Sequence, residues 1–171
     1  MIPQWLHGKT IGVFDLETTA FPNITEIFCN SVSIITIDDS GAYEVTPAIA
    51  YTQFWTSYSH GSLMQSVTLL NSCDYICAHN LCSFDYPTIK RLLGVELTAT
   101  PLDTLILSKL VFPKDELFSI DFQLKIDKEL QGSYSLKAFG QRLGGSSKID
   151  YSDFSHLNEE MVIYCNMDVN L

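Results

Sequence analysis

Thr10-Ile11-Gly12-Val13-Phe14-Asp15-Leu16-Glu17 decides how the rest of the chain is read. Five of its first seven residues are apolar or glycine, it carries β-branched and aromatic side chains, and it ends in two acids one residue apart. Such a run reads as a buried strand. Side chains alternate along a strand, so Asp15 and Glu17 leave on one face, their Cα atoms roughly 6.5–7 Å apart, while Leu16 leaves on the other. Two carboxylates at that separation can share one cation. An Asp-x-Glu alone is common, and two solvated acids at a strand end is its ordinary reading.

Working outward, Ile27–Ile37 reads as a second strand. It stops at the turn signal Asp38-Asp39-Ser40-Gly41, and a third strand is expected over Tyr43–Tyr51. Helical spacing then begins at Ser62–Leu70. A short apolar run, 74–78, precedes a helix over Asp85–Leu93 closed by Gly94. Pro101–Asp103 reads as a short strand leading into a helix through Leu110. Residues 113–133 show no clear period. Ser135 caps a helix containing Leu136, Phe139 and Leu143 and stopped by Gly144-Gly145. Asn158–Leu171 is the last helix, with Glu159 and Glu160 in its first turn and Met161, Ile163 and Val169 as its buried positions. The order β-β-β-α-β-α-β-α-α-α predicts an α/β mixed sheet, a meander followed by strands parallel to the first.

The chain has 171 residues and a formal charge of −10, with 46% hydrophobic and 18% charged residues. That length and core material fit one domain over 1–171 and exclude general disorder. No apolar run reaches the ~20 residues of a membrane helix, and Met1–Trp5 has no basic flank before an apolar stretch, so neither membrane nor secretion is expected. Five cysteines at irregular spacing fit reduced thiols in a cytoplasmic setting. Cys73, Cys77, His79 and Cys82 match no common zinc spacing. The acidity argues against phosphate binding through Lys and Arg. An active centre that holds cations on carboxylates escapes that objection.

Two further acidic positions complete a pattern. Asp85 follows His79-Asn80-Leu81-Cys82-Ser83-Phe84 and opens a helix, where an N-cap is its ordinary role. Clefts in α/β sheets form at strand C-termini, where Asp15, Glu17 and Asp85 would all lie. Tyr164 and Asp168, four residues apart, share one face of the last helix. Asp103 reads as the N-cap of the following helix, and Lys137, Arg142 and Lys148 as a small basic concentration.

Asp-x-Glu on the first strand, His-Asn-x4-Asp before a helix and Tyr-x3-Asp on the last helix form the ordered motif set of the Asp-Glu-Asp-Asp 3′→5′ exonucleases. The chain resembles, from about Thr10 to Leu171, the proofreading exonuclease domain of family A DNA polymerases, especially those of short-tailed bacteriophages. Asp103–Ser108, Ser135–Gly144 and Asn158–Met161 extend the likeness. The resemblance implies a ribonuclease-H-like fold with a five-stranded mixed sheet. It implies two divalent ions, Mg²⁺ or Mn²⁺, on Asp15, Glu17, Asp85 and Asp168, and Tyr164 orienting the attacking water. The subclass with His carries it five residues before the last Asp; here that residue is Ile163, so the Tyr subclass is implied. Leu16, Thr18, Asn80 and Phe84 are the implied substrate contacts. Single-stranded DNA 3′ ends, and a polymerase domain or subunit, are the implied partners, in the host cytoplasm if phage-encoded. Rival readings are an RNA or oligonucleotide exonuclease on the same fold, and a catalytically silent binding module.

Overall fold

The computed structural model describes residues 2–20, 22–54, 56–144 and 151–170. Gly145 and Lys148 therefore lie outside the described residues. Strand β1 spans Thr10–Thr18, β2 Ile27–Ile37, β3 Tyr43–Val45, β4 Ile49–Thr52, β5 Tyr75–Ala78 and β6 Thr100–Asp103. The sheet is mixed and six-stranded, in the order β3-β2-β1-β5-β6, with β4 also paired to β2. β1 is antiparallel to β2, and β5 and β6 run parallel to β1. The path holds the five strands expected, and β4 is a sixth beside it. The single strand expected over Tyr43–Tyr51 is two, β3 and β4. Pro47 lies in the gap between them, and a proline has no N–H to give a ladder.

Helix α1 spans Leu63–Asn71, α2 Asp85–Leu93, α3 Thr104–Val111, α4 Lys114–Leu124, α5 Leu136–Arg142 and α6 Glu159–Val169. Their ends follow local chemistry. Ser62 and Gln65 form a reciprocal capping box on α1, and Asn158 caps α6 by accepting from the Met161 N–H. Gly94 ends α2 in the left-handed conformation expected of it. The stretch that showed no period holds α4.

The two faces of the sheet are covered differently. On one, Phe14, Leu16 and Val32 join Val67 and Leu70 of α1 and Ile89 of α2 in a continuous apolar core. Gly12 lies on this face because α1 comes so close: a Cβ there would meet Leu70 Cδ2 at 2.8 Å and Cys73 Sγ at 3.3 Å. On the other face, α6 lies across β1 and β2, placing Met161, Val162 and Cys165 against Phe28, Cys29 and Ala50. Ile163, expected inside, is 47% exposed. It turns outward because Met161, Val162, Cys165 and Asp168 occupy the inner side of the helix.

A buried ion pair joins α4 to α5. Arg142 donates from Nε and Nη2 to the two oxygens of Asp121, at 2.7 and 2.8 Å. Asp121 also accepts from the Gly132 N–H at 2.7 Å. Arg142 is thus engaged in holding two helices together and is not part of an exposed basic patch, which corrects the sequence-based grouping. Among the described residues no helix is long and apolar enough to cross a membrane.

Candidate active site

The C-terminal ends of β1 and β5 open into a cleft of about 650 Å³, whose lining includes Asp15, Asn80, Lys137, Tyr164 and Asp168. Asp15 and Glu17 come from β1. The register pairs Asp15 with Ser31 and Glu17 with Cys29, and shifts only after Glu17. Strand alternation therefore persists far enough to keep both acids on the α6 face. Glu17 is 6% exposed and Asp168, from α6, 8%. One ligand-capable atom from each of Asp15, Glu17 and Cys165 falls within a 4.8 Å cluster.

Asp85 enters from the other side of the sheet's end. It is the first residue of α2, not its cap; the cap position is Phe84, whose side chain makes no capping bond. The Asp85 carboxyl is 2% exposed. Burial, and then the neighbouring Asp15 carboxylate, push its pKa well above the usual carboxylate range, partly offset by the backbone amides of Asp85 and Leu16. Removing a carboxylate from water and setting it beside another anion both favour the protonated form. A cation between them would reverse that balance.

The loop after β5 is shaped by Asp103. Its carboxylate accepts from the N–H groups of Asn80 (3.2 Å) and Cys82 (2.9 Å) as well as from Leu105 and Ile106 at the start of α3. Burial alone would raise the Asp103 pKa. The four N–H donors outweigh it and hold the group below its ordinary value. The loop is thereby fixed with Asn80 at φ +71°, a left-handed conformation that Asn tolerates better than most residues. His79 Nδ1 meets Thr104 Oγ1 at 2.9 Å, a second tie between the same elements. The helix cap is legible in the sequence; the grip on the loop is not, because the partners are more than twenty residues away.

Tyr164 lines the cleft, its ring tilted by 31° against that of Tyr151 at 5.5 Å and edge-on to Phe154. Tyr151 is in turn held by Asn158, whose Nδ2 donates to the Tyr151 hydroxyl at 2.8 Å while its Oδ1 caps α6. A second, apolar chamber of about 340 Å³ adjoins the cleft between the sheet and helices α3 and α5. Val13, Leu107, Phe139 and Asp168 are among its walls.

The structure therefore gathers Asp15, Glu17, Asp85, Tyr164 and Asp168 around one strand end, with Asn80 on the cleft wall. The remaining residues implied as substrate contacts are Leu16, Thr18 and Phe84. Leu16 is buried in the α1–α2 core, on the far side of the sheet, as the alternation that aligns Asp15 with Glu17 requires. Thr18 is buried, with its hydroxyl donated to the Thr19 carbonyl. Phe84 is half-buried at the start of α2, and neither it nor Thr18 lines these two cavities. Cys165 was not singled out by the sequence. It is fully buried beneath the acids, and its Sγ donates to the Asp15 carbonyl at 3.3 Å. Cys73, Cys77 and His79 lie on different sides of the sheet. Cys73 packs against Gly12 on the α1 side, whereas Cys77 and His79 line the apolar chamber on the other.

No family model and no curated protein matches the chain. Among solved structures it is similar to the family B DNA polymerase from the hyperthermophilic archaeon Pyrobaculum calidifontis. The TM-score is 0.51 at 12% identity, over 94% of this chain and 23% of that one. It is also similar to the EXD2 exonuclease domain soaked in Mg and GMP, with a TM-score of 0.36 at 14% identity, over 94% and 71%. The first likeness is one of fold; the second is too distant to carry an argument. The chain spans under a quarter of that polymerase's length. Its α/β sheet, with an antiparallel meander followed by parallel strands and helices on both faces, is ribonuclease-H-like.

Proposed function

We propose that this chain is a two-metal-dependent 3′→5′ exonuclease of the Tyr subclass, acting on single-stranded or frayed DNA ends. Its setting would be proofreading beside a polymerase of the family A, short-tailed phage kind. The observation that carries the reading is the convergence of Asp15, Glu17, Asp85, Tyr164 and Asp168 from three segments at the C-terminal end of β1. The donor chemistry fits hard divalent ions: all four acids offer oxygen, and Asp85 is held toward its protonated form by burial and Asp15. Asp15, Glu17, Asp85 and Asp168 would hold Mg²⁺ or Mn²⁺. Such ions would supply positive charge to an in-line displacement at phosphorus.

The chain's own groups do the rest. The Tyr164 hydroxyl orients the water whose oxygen bonds to phosphorus as the bond to the 3′-oxygen of the penultimate nucleotide breaks. A nucleoside 5′-monophosphate leaves, and the shortened strand keeps a 3′-hydroxyl. Lys109 and Lys137 on the cleft wall suit phosphates, and the aromatic Tyr134 beside them suits a base. With few cations and a net charge of −10, the isolated chain should bind DNA with a shallow salt dependence.

The test is digestion of 3′- and 5′-labelled DNA and RNA oligonucleotides with Mg²⁺ or Mn²⁺, including 3′-blocked and blunt duplex substrates, at two salt concentrations. Stepwise loss from an open 3′ end of single-stranded DNA supports the reading. Equal attack on 3′-blocked strands, or preference for intact duplex, overturns it. Faster loss from RNA would transfer the same site to an RNA exonuclease.

A further inference from the structure

The corner of the sheet that carries Asp15 and Glu17 also carries sulfur. Cys165 is fully buried and sits on α6 three residues before Asp168, on the same side of the helix. Its Sγ points at Asp15, 3.3 Å from the carbonyl oxygen and 3.9 Å from Oδ2. Glu17 completes a cluster within 4.8 Å. Cys29, the cross-strand partner of Glu17 and also fully buried, packs with Cys165 in the same group. Hard ions need only the oxygens of such a corner. Softer ions prefer a thiolate.

We propose that Asp15, Glu17 and Cys165 form a site for Zn²⁺, Cd²⁺ and Co²⁺, in which the Cys165 sulfur is a direct ligand, and which, once filled, competes with hard ions for the same carboxylates. Ligands of a tetrahedral ion lie about 2.0–2.3 Å from it, hence roughly 3.3–3.8 Å from one another. The observed cluster needs to close by only about an ångström to meet that. On binding, the S–H bond breaks heterolytically, the metal–sulfur bond forms and the proton leaves to solvent, so neither oxidant nor reductant is needed. Water or Cys29 can supply the fourth position. The consequence for hydrolysis rests on the proposed exonuclease reading; the site itself does not. Under that reading Zn²⁺ and Cd²⁺ inhibit in competition with Mn²⁺.

The experiment is titration of Cd²⁺ and Co²⁺ into the metal-free full chain, followed by the sulfur-to-metal charge-transfer band. Wild type and the exposed-thiol control Cys82→Ser should give a band saturating near one equivalent. Cys165→Ser and Cys165→Ala should lose it and bind Cd²⁺ at least about 10–100-fold more weakly, since even a partner that only orients a ligand is worth that much. Circular dichroism checks that each variant folds. Asp15→Asn, which leaves both thiols in place, should also weaken the band if the site is mixed. A band unchanged in both Cys165 variants, or absent from wild type, overturns the proposal. Should both Cys165 variants fail to fold, an undiminished band in Asp15→Asn overturns it and a weakened one supports it. A band present in a chain that hydrolyses no oligonucleotide would keep this site and sink the exonuclease reading. Hydrolysis without a band would do the reverse.

Discussion

The two faces of the sheet are built from the same strands and behave in opposite ways. Gly12, Phe14 and Leu16 of β1 face α1 and α2 and are sealed in an apolar core. Val13, Asp15 and Glu17, one residue out of step, face α6, an acidic corner and two cavities. The first face stabilises by removing apolar surface from water. The second sets carboxylates close together and out of water, which opposes folding without a cation. One strand thus supplies both the anchor and the chemistry, and alternation keeps them apart.

Removing an acid from the strained face breaks that contrast most sharply. Asp15→Ala or Asp168→Ala should lower hydrolysis by about 10⁴-fold, since each acid's cation is worth several kcal/mol of barrier. The melting temperature should hold or rise, because an anion leaves a repulsive group. Near-normal turnover in either variant would show that the wrong corner has been identified.

The wall of the cleft depends on the ion pair between α4 and α5. Arg142→Ala leaves the Asp121 carboxylate buried without its partner and should cost about 3–5 kcal/mol in denaturant unfolding. The Arg142 guanidinium, then burial acting against it, set the Asp121 pKa, with a net displacement below the ordinary 3.8. A depressed carboxylate contributes stability that is present above 3.8 and lost as pH falls through its lower folded value. Wild type should therefore lose stability steeply below about pH 4, and Arg142→Ala should lose this part of the slope. Parallel slopes would separate the pair from acid unfolding.

Cations should relieve the acidic face. Mn²⁺ at a hundred times its dissociation constant should raise stability by about 2.7 kcal/mol, reversed by EDTA. A melting temperature indifferent to millimolar Mn²⁺ would argue against a site assembled in the folded chain.

The sealed face should respond to crowding and not to metal. Gly12→Val pushes side-chain carbon against Leu70 and Cys73 and should cost about 2 kcal/mol, with hydrolysis per folded molecule intact. The smallest effect is expected at Tyr164→Phe. It removes one hydroxyl and no carboxylate, so a loss near tenfold is expected, about the worth of one hydrogen bond. A loss as deep as that of Asp15→Ala would assign Tyr164 a larger role than orienting water.

The sequence by itself determined the periodic elements and the chemistry that period alone places. β1 carries its acids on one face because alternation is a property of the backbone, and Tyr164 and Asp168 share a side because four residues make about a turn. Ser62, Asn158 and Gly94 announce their helix ends through local hydrogen bonds or conformational freedom. Tertiary structure decided what lies far apart in the chain. Whether Asp85 caps a helix or reaches Asp15 depends on where α2 meets β1. Asp103 closes on Asn80 and Cys82 across more than twenty residues. Arg142, a surface cation by composition, is consumed by Asp121 of another helix. Cys165 becomes notable only once α6 lies across β1, 150 residues away along the chain, and sets its sulfur against Asp15. Local rules act within a turn or two of backbone; a site made from three segments exists only when long-range packing has brought them together.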